Sequence, residues 1–433
     1  MSRHFRTGDQ TFVRELNRSI ILNQLRVGSP LSRADLAAIT GLNKTTVSSL
    51  MGELMEHDFV REIGPTTSSG GRPGVLLELN PGAGCIIGAE IGVGCLNVVL
   101  TDFRATISWR HQVQYDKSDD QRRVTNKLVA LLRQAVRQSQ HTGVRLLGIG
   151  IGIPGLVDVT SGTLIYEPNM GWRNVPLRQL IGAKLDVPIF VDNDANAAAL
   201  GERYFGAAQD VDNFAYVVAN IGLGAGLVMG GHIFQGASGY AGEAGHTTID
   251  PDGPLCRCGN RGCWERLASQ QALIERIQKA IQAGQHSSIE DMAKHNLDQI
   301  TIQLILEAAR GGDDVARRAL EETGMYLGIG IANLVNTFNP SLVAFGGVLS
   351  LADEFLMPVI RQVVLERAMS GPREAAQILV SAFKSDACVM GGVALVLHDI
   401  LSRPRLDWAT PSQRGDIPTR QGLDRPRAHE RVL

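Results

Sequence analysis

Apolar residues at the start of the chain recur with a helical period. Leu16, Ile20, Ile21 and Leu25 share one helical face, Leu36, Ala37 and Ile39 form a second short run, and Val47, Leu50, Met51 and Leu54 a third. Gly28, Ser29 and Pro30 break the first run. Ser32, with Asp35 three residues on, has the spacing of an N-cap with an acidic first turn; Gly41 ends the second run and Asn43 is placed to cap the third. The pattern predicts three helices with a tight glycine-containing turn between the last two, a helix-turn-helix. FVREIGPTTSSGGRPGVLLELN then reads as strand, loose tip and strand, a wing with Arg72 at its tip.

From Gly84 to about Leu401 the texture changes. Runs of β type (CIIGAEIGVG, LLGIGIGIPGLVD, PIFVDND, FAYVVANIGLGAGLVM and LVAFGG) alternate with helical stretches, the pattern of an α/β domain. The stretch 313–336 is helical and apolar enough for either subunit packing or burial in its own domain. From Ser402, Pro, Arg, Asp and Gly dominate without apolar periodicity, so 402–433 reads as a disordered tail.

Composition narrows the class without naming a function. With 433 residues, 44% of them apolar, the chain can bury two or three cores. A formal charge of −2 gives no global attraction to polyanions, so contact with nucleic acid must come from local geometry. Six cysteines, three of them clustered, suit a reducing cytoplasm better than a disulfide framework. The N-terminal segment has no apolar signal-type core, and no uninterrupted apolar run is long enough to span a bilayer, so no membrane partner is expected.

The cysteine cluster carries the first chemistry. His246, Cys256, Cys258 and Cys263 fall within GHTTIDPDGPLCRCGNRGCWE, where Gly259 and Gly262 let the backbone turn tightly. Three thiolates and one imidazole fill the tetrahedral shell of Zn²⁺ and leave no place for an activated water. A structural zinc site is therefore expected, with the functional chemistry beside it.

The third predicted helix offers a second surface. Lys44, Thr45, Thr46, Ser48 and Ser49 lie opposite its apolar face, short hydrogen-bonding groups and one cation suited to a major groove. Ser32 and Arg33 at the start of the second helix, the capping Asn43, and Arg72, placed for a phosphate or narrow minor groove, complete the expected DNA-binding set.

These motifs together resemble the ROK proteins (repressors, uncharacterised frames and sugar kinases), in particular the repressor branch with an N-terminal winged helix. The resemblance rests on GIPGLVD at 152–158, VDNDANAAALGE at 191–202, GASGYAGEAGH at 236–246 and CRCGNRGCWE at 256–265. The segments QTFVRELN and GLNKTTVSSLMGEL further resemble the xylose-repressor subgroup. It implies an α/β chain with a winged helix-turn-helix at 1–80 followed by a two-lobed domain of the sugar kinase type: a small lobe at 84–200 completed by 385–401, and a large lobe at 201–384 with the zinc site. Asn169, Asn193, Asp194, Glu243, His246 and Glu265 match residues that hold sugar in the family, and the residue matching Asp194 is the kinases' base. His246 would serve zinc with one nitrogen and sugar with the other. The phosphate turns depart from the kinases. Glu90, Ile91, Gly92, Val93 and Gly94 lack a glycine and a hydroxyl of the first turn, and Asn220, Ile221 and Gly222 lack the hydroxyl of the second, so ATP turnover is not expected. The resemblance thus implies a repressor of operator DNA, a homodimer or dimer of dimers, released by a monosaccharide such as xylose. Its rivals are a sugar kinase with a regulatory domain, and an activator or regulator controlled by a protein partner.

Overall fold

The computed structural model describes residues 10–65, 74–116, 118–141, 143–209, 211–402 and 404. Three helices, Gln10–Gly28, Arg33–Thr40 and Lys44–Glu56, precede a hairpin of strands Val60–Pro65 and Val75–Leu79, to which the short strand Leu31–Ser32 adds. Local chemistry sets each boundary. Ser32 and Asp35 form a reciprocal capping box, Gly41 takes the left-handed conformation (φ 72°) that closes the second helix, and the Asn43 side chain accepts from the Thr46 N–H. Val47, Leu50, Met51 and Leu54 point inward as the periodicity predicts.

Leu16 departs from that expectation, being 50% exposed. The early turns of the first helix stand clear of the core, which begins with Ile21, Leu22 and Leu25. The link from those turns to the third helix is polar: Arg14 and Arg18 both pair with Glu53.

Two five-stranded sheets follow, built on one plan. In the first the order is Ile189–Asn193, Leu146–Ile153, Cys85–Gly92, Cys95–Asp102, Ile107–Gln114. In the second it is Gln377–Val380, Leu342–Gly346, Phe214–Ala219, Leu223–Met229, His232–Ile233. Each has an antiparallel meander on one side and two parallel strands on the other. The run FAYVVANIGLGAGLVM is thus two strands around a turn at Asn220, Ile221 and Gly222. The boundary expected at residue 200 falls inside the helix Asp194–Phe205, whose small, buried residues run unbroken from one sheet toward the other. Near the expected tail boundary the helix Ala387–Ser402 ends, and beyond it the Pro404 carbonyl accepts from Arg18. The rest of that tail, and Arg72, lie outside the described residues.

Helix Ala387–Ser402 is apolar all round because it is enclosed on several sides. It packs on helix Asp194–Phe205 and on strands Cys85–Gly92 and Leu146–Ile153. A stretch that includes it, Lys384–Ser402, is long and apolar enough to cross a membrane, but 67% of its most apolar window is buried inside the protein. Glycine makes the approach possible. A Cβ on Gly150 would lie 1.8 Å from the Gly392 carbonyl oxygen, and one on Gly391 would lie 2.1 Å from that of Ala197.

The winged helix is not a free appendage. Its core continues into the first lobe, where Phe59 meets Phe103 at 5.7 Å between ring centroids and Leu25 shares a cluster with Leu200, Tyr204 and Leu397. Arg61 and Arg104 grip opposite oxygens of Glu78 across the same seam. The long helix Asp314–Phe338 is buried within the second lobe, where Gly330 faces the Trp264 ring.

These contacts predict opposite outcomes for two glycines. Gly150→Ala should cost about 1–3 kcal/mol or more by overpacking. Gly52→Ala, in a helix with no neighbour within 4 Å of the new methyl, should gain up to about 1 kcal/mol from helix propensity. Thermal unfolding of the two variants against wild type checks both signs.

Candidate functional site: a carboxylate-lined cleft beside a metal-ligand cluster

The two lobes enclose a cavity of about 580 Å³. All six residues expected to hold sugar line it: Asn169, Asn193, Asp194, Glu243, His246 and Glu265. Asn193 and Asp194 arrive there because the strand Ile189–Asn193 ends where the helix Asp194–Phe205 begins, at the carboxyl edge of the sheet. The structure gives Asn193 a task the sequence reading did not assign. Its Oδ1 accepts from the Ala195 and Asn196 N–H groups at 2.9 and 3.2 Å, and its Nδ2 donates to the Gly155 carbonyl at 3.0 Å. It caps the helix first and has one amide proton left for a ligand.

Glu265 is held from the other lobe. Its Oε2 accepts from the Leu223 N–H at 3.1 Å, and a Cβ on Gly222 would lie 2.6 Å from the same oxygen. Gly222 therefore matters here for the space it leaves. Asn169 closes the near side, its Oδ1 accepting from Arg257 Nη1 at 3.0 Å.

Three more carboxylates face the cavity that sequence motifs had not singled out as ligand contacts: Glu90, Glu167 and Asp192. Glu90 appeared there only as part of a turn. Nothing in its spacing marks it, because fold topology alone brings Cys85–Gly92 beside Asp194. With Asp386, seven carboxylates line the cavity, and among the described residues no lysine or arginine does. Burial, reinforced by the charges of Asp194 and Asp386, pushes the Glu90 carboxyl up to about 8. Burial and the charges of Glu243 and Glu167 raise Asp194 to about 7, and burial raises Asp192 to about 6. Glu243 opens onto the cavity, yet the surrounding walls and Glu265 raise it too. A partly protonated set of carboxyls with several amides can both donate to and accept from a ring of hydroxyls. Among the described residues no lysine or arginine stands in the lining to meet a phosphate.

The cysteine motif forms one cluster. Single ligand atoms from His246, Cys256, Cys258 and Cys263 all lie within 4.8 Å of one another. Cys258 and Cys263 sulfurs are 3.7 Å apart, and the Cys256 sulfur is 3.7 Å from His246 Nδ1. A tetrahedron with metal–sulfur bonds of about 2.3 Å places its sulfurs about 3.8 Å apart, so the four side chains could hold a metal ion with little movement. Because Nδ1 faces the sulfur, Nε2 of His246 remains for the cavity it lines. Asn260, which the motif reading passed over, steadies the cluster by donating to Thr248 Oγ1 at 2.9 Å and toward the Cys263 sulfur at 3.5 Å. The Trp264 indole N–H donates to the Tyr326 carbonyl at 2.8 Å and fastens the segment to the large lobe.

On the winged helix, Lys44, Thr45, Ser48 and Ser49 are exposed and Thr46 is partly so. Ser49 accepts from Arg14, Arg33 pairs with Glu62 at 3.1 Å, and Asn43 caps its helix. Ser32 is only 6% exposed and its hydroxyl is committed to Asp35, so it shapes the turn instead of standing on the exposed face.

A helix-turn-helix joined to two lobes around a polyol-suited cleft defines a regulator built on a sugar-kinase scaffold. The ROK family model matches residues 86–399 and the IclR helix-turn-helix domain matches residues 21–64; the chain belongs to the ROK family. It is 38% identical over 399 residues to the xylose repressor of Caldicellulosiruptor bescii, covering 92% of this chain and 99% of that protein. A crystal structure of a ROK family transcriptional regulator, described as a homolog of the E. coli MLC protein, superposes with a TM-score of 0.77 at 31% identity, covering 90% of this chain and 97% of that one. A ROK family glucokinase from Streptomyces griseus, solved with glucose and AMPPNP, gives a TM-score of 0.65 at 32% identity, covering 72% of this chain and 99% of its own.

The raised carboxyls carry a linkage of definite sign. Glu90 and Asp194 bind protons in the folded chain up to about pH 8 and 7, whereas unfolded carboxyls release them near pH 4. The folded state binds more protons across that window, so these groups make stability fall as pH rises from about 4 to 8. Glu90→Gln should therefore raise Tm by a few degrees at pH 8 and change it little at pH 4.5, as calorimetry at the two pH values would show.

Proposed function

We propose that this chain is a sugar-responsive transcriptional repressor whose ROK lobes bind an unphosphorylated monosaccharide, xylose or a related aldose, and whose winged helix holds operator DNA. The observation that carries the reading is the cleft itself: seven carboxylates and several amides, with no lysine or arginine among the described lining residues, in a chain similar along nearly its whole length to a xylose repressor. The DNA contacts would be Lys44, Thr45, Thr46, Ser48 and Ser49, with Arg33, Asn43 and Arg72 at the edges and Ser32 holding the turn. Asn169, Asn193, Asp194, Glu243, His246 and Glu265 would hold the sugar. A homodimer or dimer of dimers in the cytoplasm, reading two half-sites, fits this class of DNA reader.

His246 and the three cysteines would hold zinc, which fixes the His246 ring and the start of the helix carrying Glu265. Regulation without catalysis is favoured by the turns where phosphate would be gripped. Val93 and Gly94 form a two-residue hairpin turn without a hydroxyl. The Asn220 carboxamide oxygen is already taken by the Val348 N–H at 2.8 Å. Asp194 remains, but among the described residues no lysine or arginine lines the cavity with it.

The path from cleft to DNA runs along the helix Asp194–Phe205. Its first residue lines the cavity, while near its far end the Arg26 guanidinium lies over the Tyr204 ring at 4.6 Å and donates to the Tyr204 carbonyl at 3.0 Å. Arg26 belongs to the first helix of the DNA-binding module. Sugar that shifts the lobes would shift this joint, and with it the spacing of paired winged helices.

Two experiments test the proposal. In a thermal-shift panel of monosaccharides, xylose should give the largest rise, and incubation with ATP and each aldose should give no turnover above background; a hexose ranking first overturns the xylose assignment, and turnover restores the kinase reading. Arg26→Ala should bind DNA and sugar within about threefold of wild type while sugar-driven release is largely lost, which fluorescence anisotropy on labelled operator would measure. Full release in that variant removes the joint from the mechanism.

A further inference from the structure

Arg257 lies between two cluster cysteines, on a loop turned by Gly259 at φ 95° and Gly262 at φ 61°. That loop belongs to the large lobe, fastened there through Trp264 and Tyr326. The guanidinium reaches across the mouth of the cleft to Asn169, 88 residues away in sequence, on the connection between strands Thr163–Glu167 and Trp172–Val175. Those strands pack into the small-lobe core through Leu164, Trp172 and Val175. One hydrogen bond thus joins the metal-ligand loop of one lobe to a cavity-lining residue of the other.

We propose that Arg257 is a positioning residue: it latches the lobes, sets the orientation of the Asn169 carboxamide, and so makes sugar affinity depend on the metal cluster. This deepens the sugar-binding reading and rests on it. A guanidinium donates only, so the Asn169 oxygen must face Arg257 and its NH₂ group must face the cleft. There Nδ2 lies beside Gly222 and Glu265: the Cβ position of Gly222 is 3.6 Å from Asn169 Nδ2 and 2.6 Å from Glu265 Oε2. A donor from one lobe and an acceptor from the other therefore flank one spot, the arrangement that grips a hydroxyl. Glu167, which takes a side-chain hydrogen bond from Asn169 inside the cleft, favours the same orientation; without Arg257 that one contact is left to hold the amide, and its aim at the cleft loosens. The loop that carries Arg257 is shaped by ligands to a common centre, so loss of the ion would let the latch drift even with the arginine present.

The test uses the full-length protein with its metal content measured by mass spectrometry, and variants Arg257→Ala, Arg257→Lys and Asn169→Ala. Xylose is the calorimetric probe, and hydrogen exchange of residues 163–175 is followed without sugar. Arg257→Ala should keep its metal, weaken xylose roughly tenfold and speed exchange in 163–175. Lysine, a single donor of the same charge, should restore part of both. The double variant Arg257→Ala/Asn169→Ala should lose little more than either single one. Chelation should speed exchange in the wild type but add little in Arg257→Ala. Unchanged exchange and unchanged xylose affinity in Arg257→Ala, with metal retained, would falsify the latch. Should the exchange effects appear while the wild type binds no monosaccharide, the latch stands and the sugar reading falls.

Discussion

Gly391 sits so close to the helix Asp194–Phe205 that an added Cβ would lie 2.1 Å from the Ala197 carbonyl oxygen, and Gly150 approaches Gly392 as closely from the sheet side. This three-way contact of strand and two helices is the constraint the rest depends on. It lets the helix Asp194–Phe205 lie deep between the lobes, with its N-terminus at the cleft and its C-terminal turn against the winged helix. Close-packed interiors transmit displacement instead of absorbing it, so the cleft at Asp194 and the winged helix at Arg26 share one packed element of twelve residues.

The cleft gathers carboxylates at a cost. Glu90, Glu167, Asp192, Asp194 and Glu243 all have raised pKa values, chiefly through burial. Such a set is stabilised by protons, or by hydroxyl groups that take their place as donors. The cluster of His246 and three cysteines sets one wall. Its imidazole lines the cleft, its following helix carries Glu265, and its loop reaches Asn169 through Arg257. ROK regulators and ROK kinases share this scaffold, and here Asp194 is surrounded by carboxylates and committed amides.

Much of this was legible in sequence because local chemistry announced it. Capping at Ser32 and Asn43, the turn at Gly41 and the inward face of the third helix follow from residue type and spacing. The cysteine cluster follows from ligand chemistry and paired glycines. Leu16 escaped because periodicity marks a face without saying whether anything covers it. Glu90, Glu167 and Asp192 escaped because only strand order brings them together. Strands Cys95–Asp102 and Ile107–Gln114 were also missed; the second is an exposed sheet edge with weak alternation. Asn193 taught the reverse lesson, a residue placed correctly in the cleft whose carboxamide oxygen is already engaged by the helix it caps.

Linkage gives the most direct test of the central claim that one chain ties cleft occupancy to DNA release. If sugar weakens DNA binding by some factor, DNA must weaken sugar binding by the same factor. Xylose affinity should therefore be measured by calorimetry on the free protein and on its complex with a duplex from the promoter it controls. Coupling through the shared helix should make the Kd for xylose roughly ten- to a hundredfold weaker on DNA, matched by the loss of DNA affinity at saturating xylose. Equal xylose affinity in the two states would contradict it, however tightly each ligand binds alone.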